Sequence, residues 1–328
     1  MKQIIIMMGI LSLVSISCTH DEIKEVRNGK AIDFRAAVET KGEELTTDKL
    51  ESFTATAIDS NNDIYFQDLE FNINDENLFV SDPVYYWPAS GSLTIYAYSP
   101  AGKAKNVSIK ADTQTLEFTP ASSIKDQIDL VAIKTTGNNT AEGMALEFQH
   151  SLSQIQINAK NTNIGYRYSI KGVKIVNIAS AGTFNFSSWD ITDAELTTYQ
   201  TTYDSPIVLD EDSESIMGPE GNAMLVPQTL TKWDDTQGPA AADSQTGSYL
   251  GVLINVTTSS DVQIYPETEG EYGWVSVAIG TQWLPGKKYI YILDFSTGAG
   301  TDEDTNETVL GEAIKFDVTT AGYWTNAN

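Results

Sequence analysis

The sequence predicts an all-β protein made of two β-sandwich domains in tandem, and three observations carry that prediction. Short apolar runs alternate with polar residues at a period of two, which turns one face of a strand toward a core. Gly, Asn, Asp, Pro and Thr cluster between the runs and read as turns. No amphipathic stretch at the helical period lasts beyond a turn or two, which argues for sandwiches and against α/β classes. With 328 residues, the chain is long enough to bury two separate cores.

The first strand is the clearest. Ile32, Phe34, Ala36 and Val38 alternate with Asp33, Arg35, Ala37 and Glu39, giving one apolar face. Similar runs follow at 53–58, 93–98, 106–110, 115–118 and 129–133. Beyond them come 146–148, 154–159, 170–178, 223–226, 249–256, 274–279, 288–295 and 313–318. The segment TTGNNTAEG at 135–143 is small, polar and free of aliphatics, and is the expected domain boundary. The N-terminal sandwich is therefore expected over 31–140 and a larger one over 141–328. Segments 209–221 and 297–308 read as loops.

The first residues are of a different kind. Lys2, an apolar stretch over 4–14 and small residues before a cysteine read as a signal peptide over 1–17, too short to span a bilayer permanently. Ser15, Ser17 and Cys18 resemble a bacterial lipobox, although Leu is usual where Ser15 stands. That resemblance implies lipidation of Cys18, palmitate among its chains, and a lipid-anchored linker over 18–30. Asp21 and Glu22 read either as a signal for the outer face of the membrane or as a solvated linker.

Composition removes several function classes. Formal net charge is −25, so the basic patches that nucleic acid requires are missing. The chain has 1 Cys and 2 His, too few for an internal disulfide or a zinc site of Cys/His type. No cofactor or metal is expected. The acidic runs at 209–215 and 301–308 read as solvated loops, with calcium as the alternative, since neither has the spacing of an EF-hand. No G-x-S-x-G occurs, and His150 in EFQHSLSQI reads as a structural residue at a strand bend. No pair of acids is singled out by spacing for glycoside hydrolysis, so an enzyme is not expected. Trp87, in the run Tyr85-Tyr86-Trp87, and Trp283 are candidate aromatic contacts for a ligand. The alternative is that they, with Trp189, Trp233, Trp274 and Trp324, plug the open ends of the sandwiches.

Several phrases together resemble the fimbrillin-like (type V pilin) lipoproteins of anaerobic Gram-negative bacteria. They are AIDFRAAVETKGEEL, VYYWPASGSLTIYAYSP, LEFQHSLSQIQINAKN, VKIVNIASAGTF, LVPQTLTKW, WLPGKKYIYILDF and IKFDVTTAGYW, in that order across the mature chain. The resemblance implies two transthyretin-like (immunoglobulin-type) sandwiches, a lipoprotein precursor and assembly into fimbriae. In that family a protease removes the first strand, and a strand from the next subunit fills the groove. Here Thr40-Lys41 stands where the family commonly has Thr-Arg, so Lys41 or Arg35 is the expected cut site. The strand to be displaced would be Ile32, Phe34, Ala36 and Val38, burying about 4–6 kcal/mol at ~1.5–3 per large side chain. Ile314, Phe316 and Val318 form a matching apolar row and are the candidate donor, unless that strand completes its own sheet.

Two functions fit this sequence. One is a structural or adhesive fimbrial subunit at the outer membrane surface, whose partners are other subunits and the processing protease. The other is a monomeric surface lipoprotein that binds glycans or host ligands.

Overall fold

The structure is a computed structural model that describes residues 29–38, 50–139, 143–234 and 247–321. Nearly all of its regular structure is β, as the period of two predicts. The first half contains β1 (Phe34–Val38), β2 (Ser52–Asp59), β3 (Ile64–Ile73), β4 (Phe79–Ser81) and β5 (Leu93–Ser99). Then come β6 (Lys105–Ile109), β7 (Gln114–Phe118), β8 (Val131–Gly137) and β9 (Met144–His150). Seven of these form one sheet in the order β1-β4-β3-β2-β5-β8-β9, and it closes on itself because β1 pairs with both β4 and β9. Closure leaves the sheet no edge. Its interior holds Phe34, Phe53, Phe71, Leu93, Ile95, Leu146 and Phe148, each fully buried.

The second half contains β10 (Ser153–Lys160), β11 (Tyr166–Ala179), β12 (Gly182–Phe184), β13 (Trp189–Asp190), β14 (Leu196–Val208) and β15 (Glu214–Ser215). It continues with β16 (Ala223–Leu225), β17 (Tyr249–Thr258), β18 (Gln263–Tyr265), β19 (Gly273–Ala278), β20 (Lys288–Asp294), β21 (Thr301–Asp302) and β22 (Lys315–Ala321). One sheet runs β15-β10-β20-β22 with β16 beside β10, and the other runs β14-β11-β17-β19-β21 with β18 beside β17. Side chains of both meet in one core. Ile155 and Ile157 of β10 and Tyr291 and Leu293 of β20 face Ile170 and Val173 of β11 and Val252 and Ile254 of β17. β11 is bulged where Gly172 replaces a side chain. A Cβ there would lie 2.7 Å from the Thr201 carbonyl oxygen.

A smaller sheet, β13-β12-β7-β6, joins the two halves. Its core takes Leu116 and Phe118 from the first half and Phe184, Met224 and Val226 from the second.

The pairing corrects the expected boundary at 140/141. β8 runs on to Gly137, inside the expected linker, and β9, which starts at Met144, returns to the barrel, where Val131 pairs with His150. The sheets change partners after His150, at Ser151 and Leu152. Small, polar residues suit a connection between paired strands as well as a linker between domains, so composition does not tell them apart.

Candidate functional site

The geometry singles out the first strand. Ahead of it, the Ile32 amide donates to the Tyr85 carbonyl at 2.8 Å and the Trp87 amide donates to the Lys30 carbonyl at 2.9 Å. β1 then runs parallel to β9, from Phe34 opposite Met144 to Val38 opposite Phe148. On its other side Phe34 lies opposite Phe79 of β4. Ile32, Phe34 and Val38 are buried, and Ala36 is half-buried against the same core. Phe34 sits edge-on to Phe71 at 5.0 Å and to Phe53 at 5.8 Å, and Phe53 in turn touches Phe79 and Phe148. At about 1.5–3 kcal/mol per large side chain, the burial by Ile32, Phe34 and Val38 is a large share of an ordinary domain's stability. Without this segment the barrel would be an open sheet with unpaired edges at β4 and β9.

Arg35 points outward from the same strand and is exposed. Its side chain lies over Gly143, where an added Cβ would sit 3.1 Å from the Arg35 Cγ. Residues 35 and 36 are both in the ladder, opposite Ala145 and Leu146. A protease needs an extended, unpaired segment, so Arg35 is reachable only after β1 has opened. The signal segment, Cys18, Lys41 and Trp324 lie outside the described residues.

Toward the other end of the chain, β22 pairs with β20 alone among the described residues, from Lys288 opposite Ala321 to Asp294 opposite Lys315. Ile314 is buried, while Phe316 and Val318 are half-buried, with the Phe316 ring 6.2 Å from Tyr291. The candidate donor thus completes its own sheet here.

Trp87 and Trp283, the candidate aromatic ligand contacts, are both buried. Trp87 is 2 % exposed and belongs to the barrel core, while Tyr86 beside it faces out. Alternation along 85–87 forces that split. Trp283 is 1 % exposed, and its indole nitrogen donates to the Tyr291 hydroxyl at 3.0 Å. The ends of the sheets bury their large rings because burial of that area outweighs what exposure would gain.

His150 ends β9 with its Nδ1 2.6 Å from an Asp129 oxygen, both buried. Burial pushes the Asp129 carboxyl above its usual pKa, against the hydrogen bond from His150 that lowers it. The pair ties the start of β8 to the end of β9. In the 301–308 loop, burial raises the Asp302 pKa, but donors from Tyr265, Thr305 and Asp304 outweigh it and hold the carboxylate low. Among the described residues, no group of three or more acids, His or Cys is placed to hold a metal ion.

The groove's other walls escaped the sequence reading. Met144, Leu146 and Phe148 carry the same inward alternation as β1 and stand opposite it. Their alternation was visible, but a parallel pairing across more than a hundred residues has no local signal.

A family model described as fimbrillin-like matches residues 35–315. No curated protein matches the chain. Among solved structures, a protein from Parabacteroides distasonis named for cell adhesion has a TM-score of 0.53 at 10 % identity, covering 92 % of this chain and 98 % of its own. One from Bacteroides eggerthii, similarly named, has a TM-score of 0.52 at 11 % identity, covering 90 % of this chain and 96 % of its own. A fimbrial assembly protein from Parabacteroides distasonis has a TM-score of 0.42 at 10 % identity, covering 90 % of this chain and 100 % of its own. For the first two, at such identities, the likeness is one of fold.

Proposed function

This chain belongs to the fimbrillin-like family, and from that premise we propose that it is a fimbrial subunit exported as a lipoprotein and assembled by strand exchange. One observation supports the exchange: β1 is the stave that closes the barrel, held between β4 and β9 with Ile32, Phe34 and Val38 in the core. Its release would leave a groove of matching length and apolar lining, which a strand from another subunit would refill with the same main-chain bonds. Cys18 would hold the precursor at the outer membrane. Cleavage after Lys41 would free the segment bearing β1, since Arg35 is engaged in the ladder. The role is structural or adhesive, not catalytic.

Mass spectrometry of the protein recovered from its own cell surface tests this reading. Lipidated Cys18 is expected in the precursor and Gly42 as the first residue of the assembled form. Unmodified Cys18 in secreted material, with no trimmed species beside it, contradicts it.

A further inference from the structure

A cleft of about 550 Å³ lies where the small joining sheet meets the second half, a size usual for small-ligand sites. Trp189 and Leu284 give it an apolar surface, with Pro227 and Pro285 alongside, and Thr229 and Gln282 are exposed within it. No residue lining it is charged, although the chain as a whole carries −25. The exception points to a ligand without charge.

The cleft is also built in advance. The Trp189 indole donates to the Ser151 carbonyl at 2.7 Å and its ring rests on Phe184, centroids 5.0 Å apart. Gly182 makes room for it, because a Cβ there would lie 2.8 Å from the indole edge. Opposite, the Trp283 amide donates to the Gln228 carbonyl and the Leu284 amide to the Tyr289 hydroxyl, both at 2.8 Å. The Ser153 hydroxyl donates to the Leu284 carbonyl at 2.9 Å. An aromatic face fixed in place therefore stands near a flexible amide and a hydroxyl, each able to donate and accept.

We propose that this cleft binds a neutral saccharide, with Trp189 stacking on a sugar ring and Gln282 and Thr229 bonding its hydroxyls. A sugar presents both a C–H face and a fringe of neutral donors and acceptors, which is the complement of this lining. A docked peptide strand fits less well, because β13 offers an edge only two residues long. Acidic sugars are disfavoured by Asp190 and Asp193 beside the cleft and by the net charge. The site is independent of strand exchange and would operate in monomer or polymer alike.

Saturation-transfer NMR on the full chain with lactose, maltose and cellobiose at millimolar concentration, and sialyllactose as the anionic control, tests this. Transfer from at least one neutral disaccharide is expected, stronger than from sialyllactose. Trp189→Ala should abolish it, and Gln282→Ala should weaken affinity about five- to ten-fold, the worth of one hydrogen bond. Gln282 is exposed, so its variant remains decisive even where Trp189→Ala fails to fold. No transfer from any neutral disaccharide, a preference for sialyllactose, or undiminished binding in Gln282→Ala overturns the proposal.

Discussion

β1 and β22 carry the same alternating apolar pattern at opposite ends of the described chain, yet they stand in opposite circumstances. β1 has a partner on each side, and its large inward side chains, Phe34 and Val38, are buried in the core. Among the described residues β22 has one partner, β20, and Phe316 and Val318 are only half covered. Alternation decides which side chains face inward, but not whether the strand is a stave or a rim. Removing this stave opens the ladder with β9, the single Phe34–Phe79 pairing with β4 and a core, whereas lifting a rim strand breaks one ladder and leaves most of the core shut. Under the proposed exchange, that asymmetry makes the rim strand the cheaper one to lend.

The largest expected effect breaks or sustains the contrast directly. Phe34→Ala should destabilise the barrel by about 3–5 kcal/mol in urea unfolding, the usual cost of emptying an aromatic core site. Phe316→Ala should cost about 1–2 kcal/mol because only part of its area is buried. Equal costs would mean that β1 is no more integral than β22.

Alkaline pH should separate the two halves next. Burial pushes the hydroxyls of Tyr168, Tyr199, Tyr249 and Tyr291 in the second half up to about 12 from an ordinary 10. Their folded pKa values are raised, so this stability is complete below pH 10 and is lost as pH rises through about 12. Hydrogen exchange followed through that window should show the second-half sandwich opening before the barrel. A barrel that opens first would undo this assignment.

A smaller effect on stability, with a large one on assembly, is expected for Phe316→Asp. The rim position should tolerate the charge, leaving a folded monomer by circular dichroism while polymerisation is lost. An unfolded variant would make the strand indispensable to its own core, and normal polymers would place the donor elsewhere. Smallest of all, Arg35→Gln should change stability by no more than about 0.5 kcal/mol, as an exposed substitution does. It should also leave trimming by a lysine-tolerant protease intact, whereas Lys41→Gln should abolish the trimmed band on a gel. The reverse result would assign the cut to Arg35.

The sequence made the central strands legible and hid the peripheral ones. β1, β5, β10, β17 and β20 stand out because each turns a row of apolar side chains into a core. β3 and β14 went unread. β3 exposes most of its residues and is bulged against β2, and β14 is a Thr-rich edge strand containing Pro206. Phe34 was legible as inward-facing, but its two partners were not, because pairing between distant segments leaves no mark in either. Trp189 was noted among the aromatics, yet its role as the cleft's open ring depends on Gly182 and on loop 281–285, which only folding brings together.

The central claim is that β1 is a replaceable stave. It is tested most directly by trimming the purified chain after Lys41 and measuring its mass in solution by light scattering, with and without a synthetic peptide of residues 31–38. Trimmed chains alone should form oligomers that resist dissociation, and the peptide, filling the groove in trans, should hold them as monomers. Trimmed chains that stay folded and monomeric without the peptide, or oligomers that form regardless of it, would contradict the account.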